Sequence, residues 1–207
     1  MAGNAMGPSD FAGMLNVLIP LLIVAAIAIL YLRRGWTERT GLRSEMKNLS
    51  GNAYSVLDHP GLRTDEGIVT VDYCIVSVYG IFLLVIDNFK GRVSGGEEND
   101  NWTLSSHGRT ETVGNPLKRT EAFSHALAKV LSDYRYPDPI AIVAYPTGTV
   151  LDVKSTQHVT YLSKVLGIVK SYRTARLTFS QASGITVALQ YADVNNKADD
   201  EVLSDMM

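Results

Sequence analysis

The hydrophobic positions divide the chain into one long apolar segment near its start and a later region of shorter apolar runs. The segment Phe11–Leu32 contains no charged residue. A helix rises about 1.5 Å per residue, so one of this length crosses a hydrocarbon core of roughly 30 Å. The pattern therefore predicts a single transmembrane helix over residues 11–32, preceded by a short external stub at residues 1–10.

Charged residues are distributed unequally on the two sides of this segment. No Lys or Arg precedes it, and a cleaved signal peptide would need basic residues there. The positive-inside rule therefore predicts an external N-terminus and a cytoplasmic C-terminal region at an inner membrane. Tyr31 and Trp36, together with Arg33 and Arg34, are expected at the membrane interface. The cations that set this orientation all follow the segment closely: Arg33, Arg34, Arg39, Arg43 and Lys47.

After the apolar segment, short β-branched and aromatic runs alternate with polar stretches and helical patterns. This predicts an α/β domain over residues 53–192, a mixed sheet with helices packed on it. A basic stretch at 33–52, with helix potential over Thr40–Leu49, is expected to be a juxtamembrane helix or linker. The acidic residues 193–207 are expected to form a mobile tail. Strands are predicted at Ala53–His59, Ile68–Val78, Gly80–Asp87, Arg92–Ser94, Trp102–Ser105, Thr110–Val113 and Asp138–Pro146, a loop at His59–Gly67, and helices at Pro116–Tyr134 (with Asn115 as N-cap), Gln157–Tyr172 and Ser180–Ala192.

Composition narrows the classes of protein without naming a partner. The chain has 207 residues, 46% of them hydrophobic, and a formal net charge of -2. These values exclude a disordered chain and a strongly basic nucleic-acid binder. The single cysteine, Cys74, lies in an apolar run, so no disulfide framework is expected and a buried thiol is the simplest interpretation.

Two carboxylates, Asp72 and Asp87, belong to the predicted hairpin. A turn centred on Val78 and Tyr79 would place Asp72 and Asp87 on one face of the two strands, because side chains alternate with a period of two. Their α-carbons would then lie diagonally, roughly 7 to 8 Å apart. The same register predicts three pairs: Asp72 with Val85, Cys74 with Leu83, and Val76 with Ile81.

At these residues the chain resembles the NERD, or nuclease-related, domain of the PD-(D/E)xK nuclease-like superfamily. The resemblance covers residues from about Val69 to Leu131 and extends through Ile140–Pro146 toward Tyr172. A Gly-Glu pair of the family's first helix corresponds to Gly41–Glu45. The motifs that carry the resemblance occur in order: Asp72 followed by Ser77, Gly80–Phe82, Asn88 with Phe89, Gly91 and Gly95, Trp102, and Asn115 with Pro116.

The resemblance implies a restriction-endonuclease-like fold and a particular metal chemistry. In the family, the Asp of the first strand and a Glu of the second hold a divalent metal, and a Lys two residues later helps to polarise the attacking water. Here the Glu position is Val85 and the Lys position is Asp87. A later helix position, often Gln in the family, is Arg119. Of the catalytic set only Asp72 is present, which implies that catalysis has been lost.

The sequence therefore favours a membrane-anchored, non-catalytic domain that acts as a protein-interaction or assembly module, with a protein partner or a second copy of the chain, and with no cofactor. One alternative is a membrane-tethered nuclease, with Asp72 and Asp87 as a relocated pair binding Mg²⁺ or Mn²⁺ beside Glu66 and Lys90. Another is a component of a DNA transfer or defence system that binds nucleic acid without cutting it. If there is no metal, Asp72 is expected to hold a hydrogen bond in the fold and Asp87 to cap the end of its strand.

Overall fold

A computed structural model of the protein describes residues 21–23, 38–49, 51 and 53–196. The predicted membrane helix lies outside these residues except at 21–23, which are helical. The stub 1–10, the interface residues Tyr31, Arg33, Arg34 and Trp36, and the tail from 197 onward also lie outside them. Among the helices that the structure does describe, none combines the length and apolar character needed to span a bilayer.

A five-stranded mixed sheet forms the centre of the domain, in the order β1-β4-β5-β9-β11. Its strands are β1 (Tyr54–Asp58), β4 (Tyr73–Ser77), β5 (Gly80–Ile86), β9 (Ile140–Tyr145) and β11 (His158–Tyr161). The first three strands pair antiparallel, whereas β5, β9 and β11 run parallel. The sequence therefore predicted the fold class, a mixed sheet with flanking helices.

Two smaller sheets complete the strand set. A four-stranded sheet has the order β10-β6-β7-β8, and a two-stranded hairpin joins β2 and β3. Their strands are β2 (Gly61–Thr64), β3 (Gly67–Thr70), β6 (Arg92–Gly96), β7 (Asn101–Ser106), β8 (Arg109–Gly114) and β10 (Val150–Lys154).

Helices cover both faces of the central sheet. They are α1 (residues 38–49), α2 (Pro116–Val130), α3 (Val165–Ser171), which follows a 3₁₀ turn at Leu162–Lys164, and α4 (Phe179–Ala192). Helices α1 and α3 pack on the face that carries Ile75 and Phe82. Helices α2 and α4 pack on the opposite face, which carries Cys74 and Leu83. Successive side chains of β4 and β5 point to opposite faces, so these strands contribute to two hydrophobic cores, one on each side of the sheet.

The predicted hairpin register is confirmed within the strands. Cys74 lies opposite Leu83 and Val76 opposite Ile81. Strand β4, however, begins at Tyr73, so Asp72 lies just before it. Its N–H still donates to the carbonyl of Leu84 at 2.9 Å, which keeps Asp72 beside the end of β5.

The helix predicted at Thr40–Leu49 exists and is part of the domain. Leu42 and Met46 are 4% and 1% exposed and pack against the central sheet. They lie four residues apart on one helix face, where i and i+4 side chains meet a common surface. Residues 38–49 therefore join the folded domain rather than bridging a gap between membrane and domain.

Three of the predicted elements were wrong. The run Ile68–Val78, predicted as one strand, is divided between β3 and β4, which belong to different sheets. The segment predicted as a loop over residues 59–67 contains strand β2, which pairs with β3. The segment Gln157–Tyr172, predicted as one helix, begins as strand β11 and becomes helical only from Val165. The run from His158 to Tyr161 contains Val and Thr, which favour strands, and it gains parallel pairing with β9. Strand β10 was not predicted at all.

Asn115 joins the second sheet to helix α2 and is the predicted N-cap. Its side-chain oxygen accepts the N–H of Leu117 at 2.9 Å, and Pro116 occupies the first helical position. Its amide nitrogen donates to the carbonyls of Glu97 at 2.9 Å and Asn99 at 2.7 Å. The residue is 4% exposed. The Asn115 side chain therefore caps the N-terminus of α2 and also stabilises the turn between β6 and β7.

The acidic segment that begins at Asp193 is packed on the domain as far as the structure describes it. Asp193 is 6% exposed, and its carboxylate accepts the N–H of Gly61 at 2.9 Å. The Asn195 amide donates to the carbonyl of His59 at 2.7 Å. Residues 193–196 thus contact the connection between β1 and β2.

Candidate functional site

Asp72 lies between the end of β5 and helix α2. One residue from each of these two elements donates a hydrogen bond to the same oxygen of the Asp72 carboxylate. The backbone N–H of Ile86 donates to Oδ2 at 2.8 Å. The guanidinium of Arg119 donates to that oxygen, also at 2.8 Å. The Asp72 side chain is 15% exposed and that of Arg119 is 44% exposed. The carboxylate is thus held by one backbone hydrogen bond and one charge-assisted hydrogen bond.

A chain of ionisable side chains continues from Asp72 toward helix α1. The Nε2 atom of His59 lies 3.7 Å from Oδ1 of Asp72. The other ring nitrogen of His59 contacts Asp58 at 2.6 Å, and Arg43 of α1 contacts the same carboxylate at 3.2 Å. We refer to Arg43, Asp58, His59, Asp72 and Arg119 as the Asp72 network. It connects α1, the β1–β2 connection, the start of β4 and α2.

The backbone at His59 is fixed in an uncommon conformation. His59 has a φ of 48°, a region that few residues other than glycine adopt. Its N–H donates to the carbonyl of Asp72 at 2.9 Å, and its own carbonyl accepts from Asn195. Contacts on both sides of the peptide therefore determine where the imidazole lies.

Asp87 uses its carboxylate locally. Its Oδ1 accepts the N–H of Phe89 at 2.9 Å, which is the geometry of an Asx turn at the end of a strand. Its own N–H donates to the carbonyl of Ala144 at 3.0 Å. Burial, assisted by the charge of Asp87, raises the pKa of Tyr145 above its usual value. These contacts are those expected for a carboxylate that caps the end of β5.

The positions named for the family's metal site and for the relocated Asp72–Asp87 pair do not converge on Asp72 as a catalytic set. Val85, at the family Glu position, is 2% exposed and belongs to the apolar core on the α2 side of the sheet. Lys90 is exposed in the turn after β5. Glu66 lies in the exposed β2–β3 turn, where its N–H donates to the hydroxyl of Thr64.

These residues do not fit a divalent metal of the family type. A hard cation needs several oxygen ligands, but Val85 provides none, Asp87 is engaged by Phe89, and Asp72 has a guanidinium at 2.8 Å. Within residues 38–49 and 53–196, no three His, Cys, Asp or Glu side chains are grouped so that they could hold a metal ion. The cation beside Asp72 is therefore supplied by the protein, as Arg119.

An open groove of about 590 Å³ lies next to the Asp72 network, between the β2–β3 hairpin and α2. Arg119 lines this groove and also contacts Asp72. At the other end of the groove, Lys129 lies 2.7 Å from Asp65, and this hydrogen bond lowers the pKa of the Asp65 carboxyl. Ile68, which is 55% exposed, forms part of the wall.

Sequence reasoning found Asp72, Asp87 and the position of Arg119, but it missed the partnership between Asp72 and Arg119 and the role of His59. The residue type at position 119 offered one signal, since a cation replaces the family's usual Gln. No sequence signal indicated His59, because its position depends on the turn before β2 and on Asn195, 136 residues later.

Comparison with known proteins gives a consistent result. A family model described as the nuclease-related domain matches residues 34–147. An uncharacterized protein of Bacillus anthracis is 22% identical to the chain over 169 residues, which cover 78% of this chain and 79% of that protein. No solved structure matches the chain.

Proposed function

Because the chain belongs to the NERD, or nuclease-related domain, family, we propose that it is a non-catalytic member whose domain acts as an assembly module at the cytoplasmic face of an inner membrane. The observation that carries this proposal is the Arg119 guanidinium, 2.8 Å from the Asp72 carboxylate. A fixed side-chain cation occupies the environment in which the family mechanism needs a metal ion.

Charge and ligand number support the loss of catalysis. A divalent cation next to Asp72 would be repelled by the guanidinium and would find no second carboxylate at Val85. At the position of the family Lys, Asp87 presents the opposite charge to the one that polarises a water molecule. Electrostatic stabilisers of this kind contribute orders of magnitude to a rate, so losing two of them together removes the reaction.

Anchoring is proposed from the sequence of residues 11–32 and from the cations that follow it. Tyr31, Trp36, Arg33 and Arg34 would contact the inner headgroup region. The anchor would enter the domain through α1, whose Leu42 and Met46 are buried against the central sheet. A membrane segment that ends at Leu32, a few residues before this packed helix, would hold the domain close to the bilayer.

The assembly role follows from a fold that is retained although its chemistry is lost. The Asp72 network uses the one remaining carboxylate of the family's catalytic set to connect four elements of the fold. We expect the purified full-length chain in mild detergent to form a complex, either with a host protein or with a second copy. A chain that stays monomeric and brings no partner from its own host would count against the module.

The absence of catalysis makes a direct prediction. We expect the full-length chain in mild detergent, supplied with Mg²⁺ or Mn²⁺, to cleave neither single- nor double-stranded DNA nor RNA. The matched control is an Asp72→Asn, Asp87→Asn double variant purified in the same way, which reports any contaminating nuclease. Metal-dependent cleavage by the native chain that the double variant lacks would contradict the proposal.

Family membership itself favours one second candidate, a membrane-tethered nuclease or nucleic-acid-binding component in which Asp72, Asp87 and Lys90 contribute. The same samples separate this candidate from the first. A salt-sensitive shift of labelled DNA without cleavage would favour binding, because phosphate contacts weaken as salt rises. If labelled DNA did not shift even at low salt, nucleic-acid binding would be excluded.

A further inference from the structure

Charge is divided unevenly between the two helical layers of the domain. Between Asp152 and Asp193 the chain has no acidic residue, but it has five cations: Lys154, Lys164, Lys170, Arg173 and Arg176. This segment contains α3 and α4 and the connection between them. In a chain with a formal net charge of -2, this stretch is net positive, and three of its cations, Lys164, Lys170 and Arg173, lie in α3 or directly beside it.

The α1–α3 layer presents this charge to solvent. Helices α1 and α3 lie on the same face of the central sheet, with Val165 and Val169 of α3 buried beside Met46 of α1. The outward positions of the layer are exposed and hold six cations against the two acids Glu38 and Glu45. The cations are Arg39, Arg43, Lys47, Lys164, Lys170 and Arg173.

Several of these cations have no partner within the domain. Arg43 contacts Asp58, and Arg39 donates to the carbonyl of Ile86. Lys164, Lys170 and Arg173 form no ion pair with any carboxylate in the described part of the chain. No carboxylate in the described part of the chain therefore neutralises their charge.

The acidic side chains gather on the α2 side instead. Glu97, Glu98 and Asp100 lie in the turn that Asn115 ties to the start of α2, and Asp65 and Glu66 form the turn of the hairpin beside α2. The domain thus has a basic α1–α3 layer, whereas the acidic rim near α2 is interspersed with the cations Lys118, Arg119 and Lys129.

We propose that the α1–α3 layer lies flat on an anionic lipid surface, with Lys164, Lys170 and Arg173 contacting the headgroups. This inference rests on the membrane anchoring proposed above. At most five residues, 33–37, lie between the predicted membrane helix and the described part of α1, and even a fully extended chain of that length spans no more than about 17 Å. The anchor thus holds α1, and with it the α3 layer, within reach of the bilayer. Nucleic acid also carries regular negative charge, but it has no such tether to this layer.

Lipid docking of this kind has a clear physical basis. Cytoplasmic leaflets carry anionic lipids whose surface potential attracts basic segments and decays within a Debye length of about 8 Å at physiological salt. Once docked, the domain would turn α2, the groove beside it and the acidic rim toward the cytoplasm. The same orientation would leave the groove accessible to a protein partner.

The test uses the full-length chain in proteoliposomes and one thiol-reactive fluorophore at a time. Burial raises the pKa of the Cys74 thiol to about 12, and Cys74 is 0% exposed, so the native cysteine does not compete for the label. One probe is placed by Ser163→Cys, at an exposed position next to Lys164, and the matched probe by Thr110→Cys, exposed on β8. A quencher attached to the lipid headgroup reports which probe lies against the bilayer.

In vesicles containing phosphatidylserine we expect strong quenching at position 163 and little at position 110. In neutral phosphatidylcholine vesicles the two positions should be quenched alike. Reversing Lys164, Lys170 and Arg173 together to Glu should lower the docking equilibrium constant more than about a hundredfold, since each cation near an anionic surface contributes roughly a fivefold factor. Reversing Arg63, Arg109 and Arg135, which are exposed elsewhere and form no ion pair in the described part of the chain, changes the net charge equally and should leave the quenching at position 163 in place.

The outcomes separate docking from anchoring. A chain that floats with neutral vesicles is anchored, and equal quenching at the two positions in anionic vesicles would then overturn docking alone. A chain that floats only with anionic vesicles, with quenching at position 163, would support docking and overturn the anchor. A chain that floats with neither overturns both. Protection of the probe at position 163 by added duplex DNA, without quenching by anionic lipid, would replace the lipid with nucleic acid and overturn the proposal.

Discussion

Asn115→Ala is expected to lower the free energy of unfolding by about 4 kcal/mol, which combines a lost N-cap of about 1 kcal/mol with the loss of buried hydrogen bonds. The substitution leaves the N–H of Leu117 without its acceptor and the carbonyls of Glu97 and Asn99 without their donor. The Leu117 N–H is buried and the two carbonyls are partly buried where the turn after β6 meets α2, so the truncation leaves one buried donor and two partly buried acceptors unpaired. The measurement is denaturant unfolding of the full-length chain in detergent.

The neighbouring exposed residue provides the control for this prediction. Asn99→Ala should change the unfolding free energy by no more than about 0.5 kcal/mol, as is usual for exposed positions away from special features. If Asn115→Ala cost no more than this control, Asn115 would not be the joint between the second sheet and α2.

Asp72→Ala is expected to destabilise the domain by about 3 kcal/mol, because hydrogen bonds to a charged group contribute about 1.5 to 3 kcal/mol. The change removes the acceptor of the Ile86 N–H and the partner of Arg119. Asp72→Asn keeps an acceptor for Ile86 and should cost about 1 kcal/mol, as a weakened charge-assisted bond would. Unfolding of the metal-free protein in the presence of a chelator measures both variants.

The sign of the Asp72→Asn effect discriminates between the two interpretations of the site. In a metal-binding cluster, neighbouring carboxylates repel one another when the metal is removed, so neutralising one of them stabilises the metal-free protein. In the Asp72 network the charge nearest to Asp72 is the Arg119 guanidinium, so neutralising Asp72 destabilises the protein. An increase in stability of the chelator-treated Asp72→Asn variant would therefore contradict the network as a structural element.

Local sequence patterns predicted the hairpin and the start of α2. The two apolar runs between Tyr73 and Ile86 are buried on both faces, and the short turn at Val78 and Tyr79 between them fixes their register. Asn115 followed by Pro116 is an N-terminal helix signal that depends only on neighbouring residues. These features could be inferred because the physics that determines them is local.

The segment from Gln157 to Tyr172 shows where local patterns fail. Val159, Leu162, Val165 and Val169 recur at helical spacing, which favoured one amphipathic helix. The structure uses the first of these residues in β11, next to β9, because a parallel strand there extends the sheet. Pairing with β9 involves a partner outside the window in which periodicity is read, so it was not visible in the sequence pattern.

Part of the candidate site could likewise be predicted from the sequence, and part could not. Family motifs located Asp72 and identified the residues that replace the catalytic Glu and Lys, since those positions follow the order of strands along the chain. The contact between Asp72 and Arg119 joins residues 47 apart in sequence, and the one between His59 and Asn195 spans most of the domain. Such contacts depend on how the helices pack on the sheet, and neither the composition of the chain nor the spacing of its residues specifies that packing.

The most direct test of the central claim is calorimetric titration of the full-length chain with Mn²⁺, compared with an Asp72→Ala, Asp87→Ala double variant whose folding has been verified. If Arg119 has replaced the metal, the native chain and the variant should give the same heat, that of dilution alone. A saturable heat in the native chain that disappears in the folded variant would show that the two aspartates still bind a metal ion, and the non-catalytic assignment would be wrong.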